Sequence, residues 1–236
     1  LERSDGAARF ALPIRDMLGF MLFVEQERLA LAELLLEKGA KAPTLCEGWN
    51  AGDLAVHLYV RQRYPLATAG MFVPALSPLL EHRTQQTASM PFAEVVKKWA
   101  EEKRGFSRSK TLDFFLNTAE HFVHHEDLRR GASLGENSLV AGVQPRSLSD
   151  VAEKDLLRVL RLFAPKLLRQ SSVPVVLEPD RYPRIVAADS RGVASSGSAV
   201  THIRGQVGEL VLWAFGRDAV EIELYGDASK VIRSGL

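Results

Sequence analysis

Apolar positions along the first two thirds of the chain recur every three or four residues, and this spacing predicts a run of helices. Leu29, Leu31, Leu34, Leu35 and Leu36 among Glu and Arg predict a long helix over residues 17–38, closed by Gly39. Asn50 suits a helix cap and Asp53, three residues on, can return a hydrogen bond, so a second helix is predicted to start there. Along it Leu54, His57, Leu58, Arg61 and Tyr64 share a side, up to Pro65. Residues 70–90 contain prolines and read as an irregular link, after which Pro91 opens a third helix through Trp99 to about residue 103. Leu112, Phe115, Leu116, Ala119, Phe122 and Val123 predict a fourth helix, and Arg129 and Arg130 precede a Gly131 read as its left-handed terminator. Residues 132–149 hold no period and read as a long loop. A Leu-rich fifth helix spans 151–169, kinked or ended near Pro165.

The texture then changes. Residues 173–177, 184–187, 200–204 and 220–225 are strand-like, and the last of these alternates cleanly. Between the last two strands, residues 206–215 predict a short amphipathic helix closed by Gly216, and residues 191–198 a hairpin-like loop. The expected fold class is α+β overall, with a helical bundle at 1–170 followed by a small α+β domain at 171–236, and without internal repeats.

Composition narrows the function classes. With 236 residues, 46% hydrophobic and 25% charged, the chain is globular in type. Thirty basic against 29 acidic residues leave a net charge of +1, so no field favours nucleic acid and none is expected as a partner. The apolar stretch at 10–24 is interrupted by Arg15 and Asp16 and falls short of the ~20 residues that a span needs, so a docked helix is expected and no membrane partner. The first dozen residues, which begin without Met, carry no functional expectation. One cysteine, Cys46, excludes an internal disulfide framework and a multi-thiolate zinc site, and fits a reducing cytoplasm. Any metal would rest on His and carboxylate.

Those groups crowd into residues 117–130, which hold three of the six histidines together with Glu120, Glu126 and Asp127. On a helix, Glu120 and His124 stack on the shoulder of the apolar face with Asn117 and Asp127 close by, whereas His121 and His125 form a second pair pointing away from the core. A Glu and a His four apart can hold one divalent ion together, with a third ligand from elsewhere. The same residues also read as a solvated face that complements the helix dipole. His57 leans inward and by itself reads as a core or boundary residue, Cys46 as a buried free thiol, and His82 and His202 as solvent-facing.

Thr44-Leu45-Cys46-Glu47-Gly48-Trp49, then Asp53 to Leu58, then Asn117 to Glu120 and Phe122 to Asp127 with Arg129-Arg130, resemble an actinobacterial metal-binding family. That family is related to the mycothiol-dependent maleylpyruvate isomerases and to DinB-like four-helix bundles. The resemblance implies a DinB-like bundle for the first domain, with His57, Glu120 and His124 holding a divalent metal, usually taken to be zinc. It also likens 171–236 to the C-terminal domain of those isomerases, where Arg217 would reach a substrate carboxylate; its other reading is a solvated cation at a helix end.

Two neutral His and one Glu would leave zinc near a net charge of +1 with an open fourth position, the layout of a catalytic site. The resulting expectation is a thiol-dependent transferase or isomerase, with mycothiol as cosubstrate and a small electrophile as substrate. Arg61, one turn beyond His57, would pair with an anionic substrate or form an interhelix salt bridge. Asp127 would orient a ligand imidazole or bridge to Arg130. The alternative is a non-catalytic metal-binding protein in which the ion ties two helices together.

Overall fold

The computed structural model describes residues 22–101, 110–131, 144–189 and 200–234. The expectations for 10–21, 132–143 and 191–198 therefore lie outside the described residues. Helix α1 (Phe23–Lys38) buries Leu31 and Leu35 and ends at Gly39, whose φ of 77° is one that glycine adopts without steric cost. Helix α2 (Ala51–Arg63) starts where its cap predicts. The Asn50 side chain accepts from the backbone N–H groups of Gly52 and Asp53 at 2.8 and 3.1 Å, and the Asp53 carboxylate accepts from the Asn50 N–H at 3.0 Å. This reciprocal cap satisfies donors that the first helical turn leaves without partners.

The stretch expected to be an irregular link is mostly ordered into turns and helix. A one-turn α3 (Pro65–Thr68) and two 3₁₀ turns lead into α4 (Ser77–Ala88). Only Thr87 of α4 is buried, so this helix carries no apolar stripe for a sequence reading to detect. Helix α5 (Phe92–Glu101) follows Pro91, α6 (Lys110–Arg130) bears the His-rich segment, and α7 (Asp150–Leu167) is capped by Ser149. Helix α7 ends at Leu167, just past Pro165, as expected of a helix that ends near that proline.

Helix α6 separates two cores. On one side Leu31, Leu35, Leu54, Leu58, Val96 and Trp99 of α1, α2 and α5 close over Leu128. On the other, Phe122 and Val123 join Leu156, Leu160 and Phe163 of α7 in a cluster that continues into the strands. Because α6 is covered on both sides, His121 and His125 are buried, contrary to the expectation that they face outward. Helical phase gave their direction relative to Phe122 but could not show that a second layer, α1 and α5, lies on that side.

The strands β1 (Val175–Pro179), β2 (Ile185–Ala188), β3 (Thr201–Gly205) and β4 (Glu223–Tyr225) form one sheet in the order β2-β1-β3-β4. β1 and β3 run parallel, with Val176 opposite His202, and the outer pairs are antiparallel. Helix α8 (Val207–Ala214) was expected to be amphipathic, yet all eight residues are buried. Each of Leu210, Val211 and Leu212 contributes roughly 2 kcal/mol by that burial. Its one charged residue, Glu209, is paired with Arg130 at 2.6 Å. The architecture is α+β, and among the described residues no helix is long and apolar enough to cross a membrane.

Gly131 ends α6 by a different mechanism from the one expected. It is absent from the glycines with left-handed φ, and a Cβ there would sit 2.1 Å from the Pro43 carbonyl oxygen. Its small size lets the 43–50 loop close against the end of α6.

Candidate metal centre

The capped start of α2 sets the phase of that helix, and this phase turns His57 and Arg61 toward α6. His57 Nε2 lies 3.7 Å from Glu120 Oε1, and Arg61 Nε lies 2.5 Å from the same oxygen. Arg61 Nη1 also donates to Asn117 Oδ1 at 3.1 Å, so the guanidinium spans one turn of α6. The rings of His57 and His124 stand edge to face with centroids 5.4 Å apart, and Trp49 tilts against His57 at 5.1 Å. One donor atom from each of His57, Glu120 and His124 falls within 4.8 Å of the other two. The sequence placed these residues on separate helices, and the fold brings them together.

His124 is held from behind. Its Nδ1 donates to Asp127 Oδ2 at 2.9 Å, which leaves Nε2 as the ring nitrogen with a free lone pair. Asp127 is fully buried and is gripped by Arg217, whose Nε and Nη2 donate to its two oxygens at 2.8 and 2.6 Å. The alternative bridge from Asp127 to Arg130 is not formed; Arg130 bonds Glu126 and Glu209 instead. Arg217 is thus not a freely solvated cation but the far end of a His124–Asp127–Arg217 chain.

Cys46 belongs to this site, which its sequence context did not indicate. Its Sγ donates to Asp127 Oδ2 at 3.2 Å and lies 3.9 Å from His124 Nδ1. The loop carrying it is pinned by Thr44 Oγ1 donating to the Trp49 carbonyl at 2.8 Å and by the Leu45 N–H donating to the Asp127 carbonyl at 3.0 Å. Only the pairing of a 43–50 turn with the end of α6 reveals the contact, and no local pattern encodes that pairing. An open cavity of about 580 Å³ is lined by Pro43, Thr44, Cys46, Glu47 and Trp49 beside the site.

The electrostatics favour full ionisation of both carboxylates. Burial alone would raise the Glu120 pKa, but the Arg61 charge and the His57 and His124 imidazoles hold it down to about 2. Burial opposes ionisation of Asp127 too, and the Arg217 and His124 bonds overcome it, bringing the carboxyl to about 2. The Cys46 thiol is pushed up to about 12 by burial and by the Asp127 charge, so it is a protonated donor at neutral pH.

Two donor sets share His124: His57 with Glu120, and Cys46 with Asp127. In the second, both Asp127 oxygens accept from Arg217, and the thiol donates to one of them. The first offers two imidazoles and an ionised carboxylate, a set that suits zinc or a similar divalent ion. Its side chains remain 10–19% exposed, which leaves one side of the site open. His121 Nδ1 donates to the Val24 carbonyl, 2.9 Å away, and His125 pairs with Glu27 at 3.0 Å, so neither faces this site. His82 is exposed, and His202 pairs with Glu178 at 2.8 Å on the sheet.

No protein-family model matches the chain. No curated protein sequence matches it either. Among solved structures, the crystal structure of the mycothiol-dependent maleylpyruvate isomerase aligns with a TM-score of 0.54 at 14% identity, over 94% of this chain and 97% of that one. The crystal structure of a histidine-to-alanine mutant of the same enzyme aligns with a TM-score of 0.56 at 12% identity, over the same shares. At such identity the likeness is one of fold, and it extends over nearly the whole of both chains: this protein has a fold similar to that of the mycothiol-dependent maleylpyruvate isomerase.

Proposed function

We propose that the chain is a divalent-metal protein in which His57, Glu120 and His124 hold the ion, and that it acts as a thiol-dependent transferase or isomerase on a small electrophile. The observation that carries this reading is the convergence of three metal-capable groups from two helices, with donor atoms within 4.8 Å of one another. The fold likeness supports mycothiol as the thiol. Zinc is the ion that best suits the donor set.

When bound, the ion supplies Lewis acidity that favours thiolate over thiol. The other parts are this chain's own. Asp127 fixes the tautomer and direction of His124, and Arg217 keeps Asp127 ionised and in place. Trp49 packs against His57 and also borders the open cavity of the 43–50 loop. Arg61 and Arg217 place two cations at the rim, with side chains 24% and 21% exposed, suited to steering an anionic substrate.

A second reading is kept because the three donors link α2 to α6, as a structural tie would. In it the ion stabilises the bundle without turnover. Metal analysis of protein purified without a polyhistidine tag, followed by turnover of thiol plus electrophile, separates the two. The enzyme reading predicts metal-dependent consumption of the thiol, and the structural reading predicts loss of stability on chelation with no turnover. Metal-free protein that takes up no zinc contradicts both.

A further inference from the structure

Four charges meet at the candidate centre, and they balance in pairs. Asp127 is matched by Arg217 through two bonds, while Glu120 is matched by Arg61 at 2.5 Å. Glu120 has a side chain only 10% exposed, and an ionised carboxylate so placed is costly without a partner. His57 contributes to the same oxygen but stands 3.7 Å away, so Arg61 is the principal partner. Arg61 is also anchored to Asn117 one turn earlier on α6, which holds the guanidinium against the carboxylate.

Resting on the metal-binding reading above, we infer that Arg61 is a built-in competitor for the ion. Its guanidinium takes the charge of Glu120 when the centre is empty and must give up that oxygen when a divalent ion arrives. The ion brings two positive charges to a site already neutral, and Arg61 is the cation left without a counter-charge; Arg217 keeps Asp127 throughout. Like charges a few ångströms apart in a half-buried site repel strongly, so Arg61 lowers the affinity of the centre for metal. The same step frees a guanidinium at the rim, so metal loading and the capacity to meet an anion become linked. This linkage gives an ordered site: the ion first, then the anionic ligand.

The test is zinc affinity, measured by competition with a chromophoric chelator, for the wild type, Arg61→Gln and Arg61→Lys. Arg61→Gln removes the charge while keeping a polar side chain, and is expected to bind zinc roughly tenfold more tightly or better. Arg61→Lys keeps the charge and is expected to stay within about threefold of the wild type. The metal-free Arg61→Gln protein should also melt at a lower temperature than the wild type, and zinc should close that gap. A variant unfolded without metal is read by the refolding that zinc induces. If the wild type binds zinc and Arg61→Gln binds it equally or more weakly, or is not refolded by it, the role assigned to Arg61 is overturned while the metal centre stands. If neither chain binds zinc, both fall.

Discussion

Asp127 Oδ2 lies 2.9 Å from His124 Nδ1, and this bond decides which nitrogen of the ring faces the candidate centre. With the proton fixed on Nδ1, Nε2 carries the lone pair. The carboxylate is fully buried and is itself fixed by Arg217 from beyond α8, so a residue distant in sequence determines how the His124 ring is presented.

Asp127→Asn should therefore weaken zinc binding without removing any of the three donors. The neutral amide can present either an acceptor or a donor to His124, and it leaves Arg217 without its counter-charge. A loss of roughly 10- to 100-fold in zinc affinity is expected, measured by chelator competition. The same variant should lower stability by about 3 kcal/mol or more in chemical unfolding, since it breaks a buried ion pair. Unchanged affinity would remove Asp127 from the account of the site.

The acid limb of stability should begin well above the range where carboxylates titrate. Burial depresses His121 from its ordinary 6.5 to about 4. Between those values the unfolded chain takes up a proton that the folded chain refuses, so stability falls as pH drops from 6.5 toward 4, by on the order of 2–3 kcal/mol. Below about 4.5 the fall should steepen, because Glu27 and Glu126, although opposed by burial, are held below their ordinary values by His125 and Arg146 and by Arg129, Arg146 and Arg130. Urea unfolding midpoints of metal-free protein at pH 7.5, 5.5 and 4 should decline in that order. A flat profile down to pH 5 would contradict the buried, neutral state of His121.

Gly131→Ala tests the contact between the 43–50 loop and the end of α6. The added Cβ would meet the Pro43 carbonyl oxygen at 2.1 Å, so the backbone must move apart and carry Cys46 away from Asp127. A destabilisation of roughly 1–3 kcal/mol is expected, together with faster reaction of Cys46 with a thiol reagent. If the thiol stays as protected as in the wild type, the loop is not held by this close approach.

What could be read from sequence followed from how locally each feature is encoded. The Asn50–Asp53 cap is complete within four residues, and it placed both α2 and His57 correctly. Glu120 and His124 are one turn apart, so their stacking also followed from helical spacing. Cys46 and Arg217 reach Asp127 only through tertiary packing, from 81 and 90 residues away, and nothing in their neighbourhoods marks them as partners. His121 was misread for a related reason: periodicity assigns a face to a residue but not the number of layers that cover the helix. Helix α4 was missed because it buries little, and an exposed helix has no stripe to announce it.

The most direct measurement is the zinc retained per chain after exhaustive dialysis, compared between the wild type and His57→Ala, both purified without a polyhistidine tag. His57 is the donor contributed by α2 rather than α6, so it tests whether the two helices share one ion. The account predicts about one zinc per wild-type chain and little in the variant, with the fold intact by circular dichroism. Equal zinc in the two proteins would contradict it.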